Sequence, residues 1–167
     1  MDHVFVIDEP IPSLQDPVVI SILRPWLDAG GVGTLALGIL KRHLATKEFA
    51  RLAKPGTFFD LTRYRPTVHY VGEERVLRIP NCDVSYVKRS EAQDLVLIDL
   101  FEPHAFAEEY IEAIIELLKA IGTKSLCRIG AMYDAVPHTR PLPVSYTVRG
   151  QAVGAPQSPQ RRYEGPT

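Results

Sequence analysis

A chain of 167 residues with 19 Lys and Arg against 20 Asp and Glu has a net charge of -1, so it carries no basic footprint for nucleic acid and no polybasic patch for a membrane surface. Its hydrophobic content of 46% is that of an ordinary globular protein, enough for one domain with a proper core. The longest apolar runs fall short of the roughly 18 residues that a membrane-crossing helix needs; the N-terminus lacks a charged-then-apolar leader, and a cytoplasmic single α/β domain over residues 1–167 is the expectation.

In chain order, Val4 and Val6 begin a short alternating run, and Pro10, Pro12 and Pro17 then exclude a helix. Val18 to Leu23 is a continuous β-branched run, the pattern of a strand buried on both faces. After a loop from Arg24 to Gly31, a helix is predicted from Val32 to Leu44. Val32, Leu35, Ala36, Ile39 and Leu40 recur at helical spacing, and Lys41, Arg42 and His43 suit the negative end of its dipole. Lys47 to Leu52 reads as a strand. Thr67 to Val71 and Arg75 to Ile79, joined through Gly72-Glu73-Glu74, read as a hairpin, and Val84 to Lys88 as another strand. Asp94 to Leu100 is a second core strand. Phe106 to Ile121 is the clearest helix, with Tyr110, Ile114, Leu117 and Ile121 in one stripe that Ile111, Ile115 and Leu118 widen, and Gly122 ends it. Ser125 to Met132 reads as a third core strand. Beyond Arg149 the chain loses its core pattern, and residues 149–162 read as loop or disorder. Strands alternating with helices imply a mostly parallel sheet flanked by helices, with the segment near residues 67–88 adding antiparallel strands.

The two cysteines, Cys82 and Cys127, lie far apart and show no zinc spacing. Cys127, inside an apolar run, reads as a small buried hydrophobe.

Open α/β sheets bind ligands outside the carboxyl ends of their strands, and several loops fall there. Two readings stand for Asp28, which precedes Ala29-Gly30-Gly31 and a helix: a cap on that helix, or a site carboxylate beside glycines that admit a ligand to the backbone. Arg63 and Arg65 flank Tyr64, either to recognise a carboxylate or phosphate or to pair Asp60 and pin the loop to a neighbour. Glu102 and His104 flank Pro103 at a helix start, as punctuation or for proton transfer. His138 and Arg140 stand between Pro137 and Pro141, which stiffen the loop and fix its aim. There is no GxSxG elbow, no HExxH and no Walker loop, so no catalytic residue and no metal ligand is assigned.

Trp26-Leu27-Asp28-Ala29-Gly30, the run Phe58-Phe59-Asp60-Leu61-Thr62-Arg63-Tyr64-Arg65-Pro66, Glu102-Pro103-His104, Val136-Pro137-His138-Thr139-Arg140-Pro141 and Arg161-Arg162-Tyr163-Glu164-Gly165-Pro166-Thr167 together resemble the second proteasome assembly chaperone family. Its bacterial and archaeal members often carry an ATP-grasp label, which these residues do not support: they show neither a glycine-rich lid nor a lysine and carboxylate set for magnesium. The resemblance implies a three-layer α/β/α fold similar to the phosphorylase/hydrolase-like architecture of nucleoside phosphorylases. It implies a non-enzymatic binding or assembly protein without a cofactor, partnered by its own copies or by proteasome α-subunits. It also implies that the family's C-terminal portion is lacking here. The binding or interface candidates are Trp26, Asp28, Gly30, Arg63, Tyr64, Arg65, Glu102, His104, His138, Arg140 and Glu164. The alternative is a small-ligand binder or enzyme whose crevice is lined by Asp28, Arg63, Glu102, His138, Arg140 and Glu164.

Overall fold

The computed structural model describes residues 4–8, 10–89, 91–134, 137, 139–149 and 151–153. It divides into two compact units, Met1–Met132 and Tyr133–Thr167. The first holds β1 (Phe5–Ile7), β2 (Val18–Arg24), α1 (Val32–His43), β3 (Lys47–Leu52), β4 (Thr67–Val71), β5 (Glu74–Arg78), β6 (Asp83–Val87), β7 (Leu95–Phe101), α2 (Ala107–Ala120) and β8 (Ser125–Ile129). The second holds a short ribbon of β9 (Thr147–Val148) and β10 (Gln151–Ala152).

Six strands form one sheet in the order β1-β3-β6-β7-β2-β8. The two strongest apolar runs, β2 and β7, lie side by side near its middle, paired in parallel from Val18↔Leu95 to Arg24↔Phe101. Strand alternation splits their side chains between two faces. Val19, Val96, Ile98 and Leu100 join Tyr110, Ala113 and Leu117 of α2 in the main core. Ile22 and Leu97 face the other way and meet Leu37 of α1. The helices therefore cover opposite faces, giving a helix–sheet–helix sandwich.

The sheet is mixed, not mostly parallel. β2 pairs in parallel with β7 and β8, but β6 is antiparallel to both β3 and β7, and β1 is antiparallel to β3. The β2–α1–β3 connection does return β3 in the direction of β2, as a crossover should. β6 then enters between β3 and β7 running the other way, which converts two neighbour pairs to antiparallel ladders.

Three packing expectations are corrected. The first helix buries Gly33 and Leu37, whereas Val32, Leu35 and Ile39 of the anticipated stripe are exposed, Leu35 by 62%. In α2 the central stripe is buried at Tyr110 and Leu117, but Ile111 and Ile115 stay exposed. Ser125 to Met132 is no core strand: β8 is an edge strand ending at Ile129, exposed from Ser125 to Arg128, and Cys127 is exposed rather than buried. Nothing described packs outside it, so an apolar sequence alone does not bury it. The hairpin turns on Gly72 and Glu73, so β5 begins at Glu74, one residue earlier than expected. Of the segment expected to be loop (149–162), Gln151–Ala152 form β10, and residues 150 and 154–162 lie outside the described residues. Gly122, at φ +69°, ends α2 as expected, with the Thr123 N–H donating back to the Leu118 carbonyl.

Candidate functional site

The carboxyl ends of β2 and β7 carry an ion pair at the head of the core. Arg24 donates from Nε and Nη2 to the two carboxylate oxygens of Asp99 at 2.8 and 2.9 Å. Its guanidinium also lies 4.1 Å from the centre of the Phe101 ring. Burial raises the Asp99 carboxyl above its usual range, and the Arg24 charge works against that rise. The Glu102 N–H donates to the Arg24 carbonyl at 2.9 Å, which ties the loop after β7 to the end of β2. The sequence reading did not single out Arg24. Its signal was Asp99, a carboxylate inside an otherwise apolar strand, which demands a cationic partner.

In the loop after β2, Asp28 reaches forward to the start of α1. Its Oδ1 accepts from the N–H groups of Gly33 at 2.7 Å and Thr34 at 3.2 Å, and its Oδ2 accepts from the Thr34 hydroxyl. Burial pushes the carboxyl up, but these donors outweigh it and hold the group below the ordinary carboxylate range. Asp28 is thus a cap on α1, fixed from across the Ala29–Gly31 turn. That turn needs positive φ at Gly30 (+64°) and Gly31 (+71°), which glycine adopts without strain. Trp26 on the same loop is about half exposed. The loop bonds to the segment after β8: the Ala131 N–H donates to the Leu27 carbonyl at 2.9 Å, and the Ala29 N–H to the Ala131 carbonyl at 3.1 Å.

Two of the sequence motifs meet in one open depression of about 420 Å³, lined by Gly56, Thr57, Phe59, Asp60, Arg63 and His104 among others. Phe58 and Phe59 are buried and anchor the loop. The Phe59 ring packs on Tyr64, Phe101 and Tyr110 with centroids 5.6 to 5.8 Å apart. Above this aromatic floor the chain turns on Asp60, whose Oδ1 accepts from the Thr62 N–H at 2.8 Å and the Thr62 hydroxyl at 2.7 Å. Those bonds hold the Asp60 carboxyl below its ordinary range. His104 closes the other side. Its N–H donates to the Phe58 carbonyl at 2.7 Å, and its Nδ1 accepts from the Asp60 N–H at 3.2 Å. The Tyr64 hydroxyl donates to the Glu102 carbonyl at 3.2 Å, and its ring stands edge-on to His104 at 4.6 Å. Burial raises the Tyr64 phenol, and the Glu102 charge adds to that, so it stays a neutral donor.

His104 Nδ1 is engaged by a backbone donor, and the Thr62 hydroxyl by Asp60 within a local turn. Arg63 pairs only loosely with Asp60, at 3.7 Å, and leaves 72% of its side chain exposed. Among the described residues, no three His, Cys, Asp or Glu side chains group as a metal site would require.

Of the candidates named from sequence, the structure brings Arg63, Tyr64, Glu102 and His104 together, with Arg65 exposed one residue beyond Tyr64. Asp28, Gly30 and Trp26 belong to the helix-capping loop. Arg140, in the second unit, is exposed and donates its N–H to the Pro137 carbonyl at 3.0 Å. His138 and Glu164 lie outside the described residues.

A family model described as the PAC2 family matches residues 22–167. No curated protein matches the chain. Among solved structures, the chain is similar to a PAC2 family protein from Streptomyces avermitilis, at 27% identity and a TM-score of 0.75, over 91% of this chain and 66% of that one. It is also similar to a proteasome-assembly chaperone homologue from Mycobacterium tuberculosis, at 23% identity and a TM-score of 0.72, over 90% of this chain and 64% of that one. An archaeal proteasome activator from Pyrococcus furiosus shares 24% identity with a TM-score of 0.55, over 74% of this chain and 49% of that one. These last two likenesses are of fold. The chain spans about two thirds or less of the length of each of these structures.

Proposed function

The chain belongs to the PAC2 family, and from that premise we propose that it is a non-enzymatic binding protein of the proteasome-assembly kind. Its contact surface is the Asp60–Arg65 loop together with His104. The observation that carries this reading is the state of Arg63: a largely exposed guanidinium at the rim of a shallow depression, on a loop held from below by buried Phe58 and Phe59. A preorganised arginine over an aromatic base is the kind of anchor that protein interfaces use. Two fold neighbours, a proteasome-assembly chaperone homologue and a proteasome activator, support a proteasome-linked partner, and proteasome α-subunits are the class that the family resemblance implies. The same reading takes the fold as phosphorylase/hydrolase-like, the location as cytoplasmic and the chain as self-associating into a small homo-oligomer.

The test is co-purification of the tagged chain with proteasome α-subunits of its own host, with and without cross-linking. Recovery that Arg63→Ala and His104→Ala each abolish, at unchanged thermal stability, supports the reading. Absence of α-subunits from every eluate refutes that partner. A second reading, a small-ligand binder using the same crevice, is favoured by the 420 Å³ depression, which falls within the range of ligand pockets. It predicts ligand-induced thermal shifts in a nucleoside and phosphate panel that vanish in Arg63→Ala.

A further inference from the structure

The β4–β5 hairpin stands apart from the six-stranded sheet and, among the described residues, pairs only with itself. All ten of its strand residues are exposed. They include large apolar side chains on both faces: Tyr70 at 70%, Val71 at 69% and Leu77 at 58%. An isolated two-stranded ribbon is marginal in water, and an open edge bearing apolar residues is a pairing template.

We propose that β5 pairs antiparallel with β5 of a second copy of this chain, in a register centred on Val76, joining the two hairpins into one four-stranded sheet. Backbone geometry selects the register. The hairpin closes through the two-residue turn Gly72-Glu73, so its closing pair Val71↔Glu74 is hydrogen-bonded and the pairs alternate from there. Glu74, Val76 and Arg78 point their N–H and C=O groups inward at β4; Arg75 and Leu77 point theirs outward. An axis through Val76 then sets Arg75 opposite Leu77 of the second copy, and Leu77 opposite its Arg75, as hydrogen-bonded pairs that use every outward group.

Charge selects the partner. In that register Glu74 meets Arg78 of the second copy, and Arg78 meets its Glu74, as non-hydrogen-bonded neighbours, where side chains come closest. The sequence Glu74-Arg75-Val76-Leu77-Arg78 is therefore complementary to itself about its centre. The charges that blunt this edge against unrelated strands match it to its own copy. Arg78 is free enough to make the contact: its pair with Asp83 is long, 3.7 Å, and its side chain is 71% exposed. The β4 edge, Thr67-Val68-His69-Tyr70-Val71, carries no such pattern. A contact between two five-residue strands is small, so the association is weak and concentration-dependent.

This inference deepens the self-association proposed above and is independent of the proteasome partner. Sedimentation velocity of the full chain over a concentration series should show a monomer–dimer equilibrium. Glu74→Arg alone and Arg78→Glu alone should each weaken it by about tenfold or more, since each reversal opposes like charges at two symmetric sites. The double reversal should restore it. In a Cys127→Ser background, Val76→Cys should form a dimer-linking disulfide under mild oxidation, because directly opposed non-hydrogen-bonded residues meet disulfide geometry. Tyr70→Cys, on β4 and more exposed than Val76, should not. Circular dichroism and melting temperature serve as the folding control. A chain monomeric at all concentrations overturns both the self-association and this contact. A dimer indifferent to both charge reversals, or one that Tyr70→Cys links as readily as Val76→Cys, overturns this contact alone.

Discussion

Removing the guanidinium at Arg24 should cost this protein about 2–3 kcal/mol. The side chains of the Arg24–Asp99 pair keep 28% and 15% of their surface in water. A fully buried pair that loses one partner costs about 3–5 kcal/mol because a charge is left stranded, and an exposed pair is worth about 0–1 kcal/mol. The two short bonds and the partial burial place this one between, near 2 kcal/mol, and loss of the contact with Phe101 adds about 0.5–1 kcal/mol. For a chain of this size that is a fall of roughly 5–10 °C in melting temperature. Urea unfolding of Arg24→Ala should show a lower midpoint at unchanged slope. The double variant Arg24→Met with Asp99→Leu should recover most of the loss, since apolar replacement of both partners strands no charge. The deficit should also depend on pH. Burial already raises the folded-state pKa of Asp99, and without Arg24 it rises further. A raised carboxyl is best tolerated protonated, so the pH-dependent part of the deficit is absent below the wild-type folded value, which already lies above the ordinary carboxylate value, and grows as pH rises from there to the variant's still higher folded value. A loss below about 0.5 kcal/mol in Arg24→Ala, or a double variant as unstable as the sum of the singles, would refute the argument that burial gives this pair its weight.

At Gly130 an added Cβ would stand 2.9 Å from the Leu27 carbonyl oxygen; Gly130→Ala should cost about 1–3 kcal/mol and loosen the Leu27–Ala131 contact, read as faster amide exchange at Ala131. Asp28→Ala should cost about 1 kcal/mol as a lost cap. Because the folded-state carboxyl is lowered, that contribution is complete above the ordinary carboxylate pKa and disappears as pH falls through the folded value, so wild type and variant should converge in acid denaturation. Of the two cysteines, Cys127 is exposed and Cys82 is buried with its thiol pushed up; a thiol reagent should titrate one group in the native chain and two in denaturant.

The elements of this fold were legible because their signals are local. Val18–Arg24 and Leu95–Phe101 announce themselves as central strands by being apolar on both faces apart from Ser21, Arg24 and Asp99, and α2 by its spacing of Tyr110, Ile114 and Leu117. The convergence of the Asp60–Arg65 loop on His104 was not legible: the main-chain bonds from His104 and Ala105 to Phe58 join segments more than forty residues apart, and no spacing rule reports that. The two motifs could be named as candidates separately, but their meeting is a property of the sheet order, which no local pattern assigns. That β6 runs against its neighbours agrees with the antiparallel strands expected near residues 67–88, but which strands it would lie between leaves no mark on its own composition.

The misreading of α1 has a different cause. A count of apolar residues assumes that a helix docks through its largest side chains. Here it docks through its smallest: a Cβ at Gly33 would lie 3.0 Å from Ile22 and 3.1 Å from the Asp28 carboxylate. Without that Cβ the backbone comes close enough to β2 for Leu37, one turn on, to reach Ile22 and Leu97. The same approach lets Asp28 span the turn to the Gly33 and Thr34 amides. Close packing and capping therefore select one orientation together, and Val32, Leu35 and Ile39 are turned outward as a consequence. In a helix whose first turn holds a glycine next to a strand-end carboxylate, the glycine is the better guide to the buried face, because only at that position can the backbone approach.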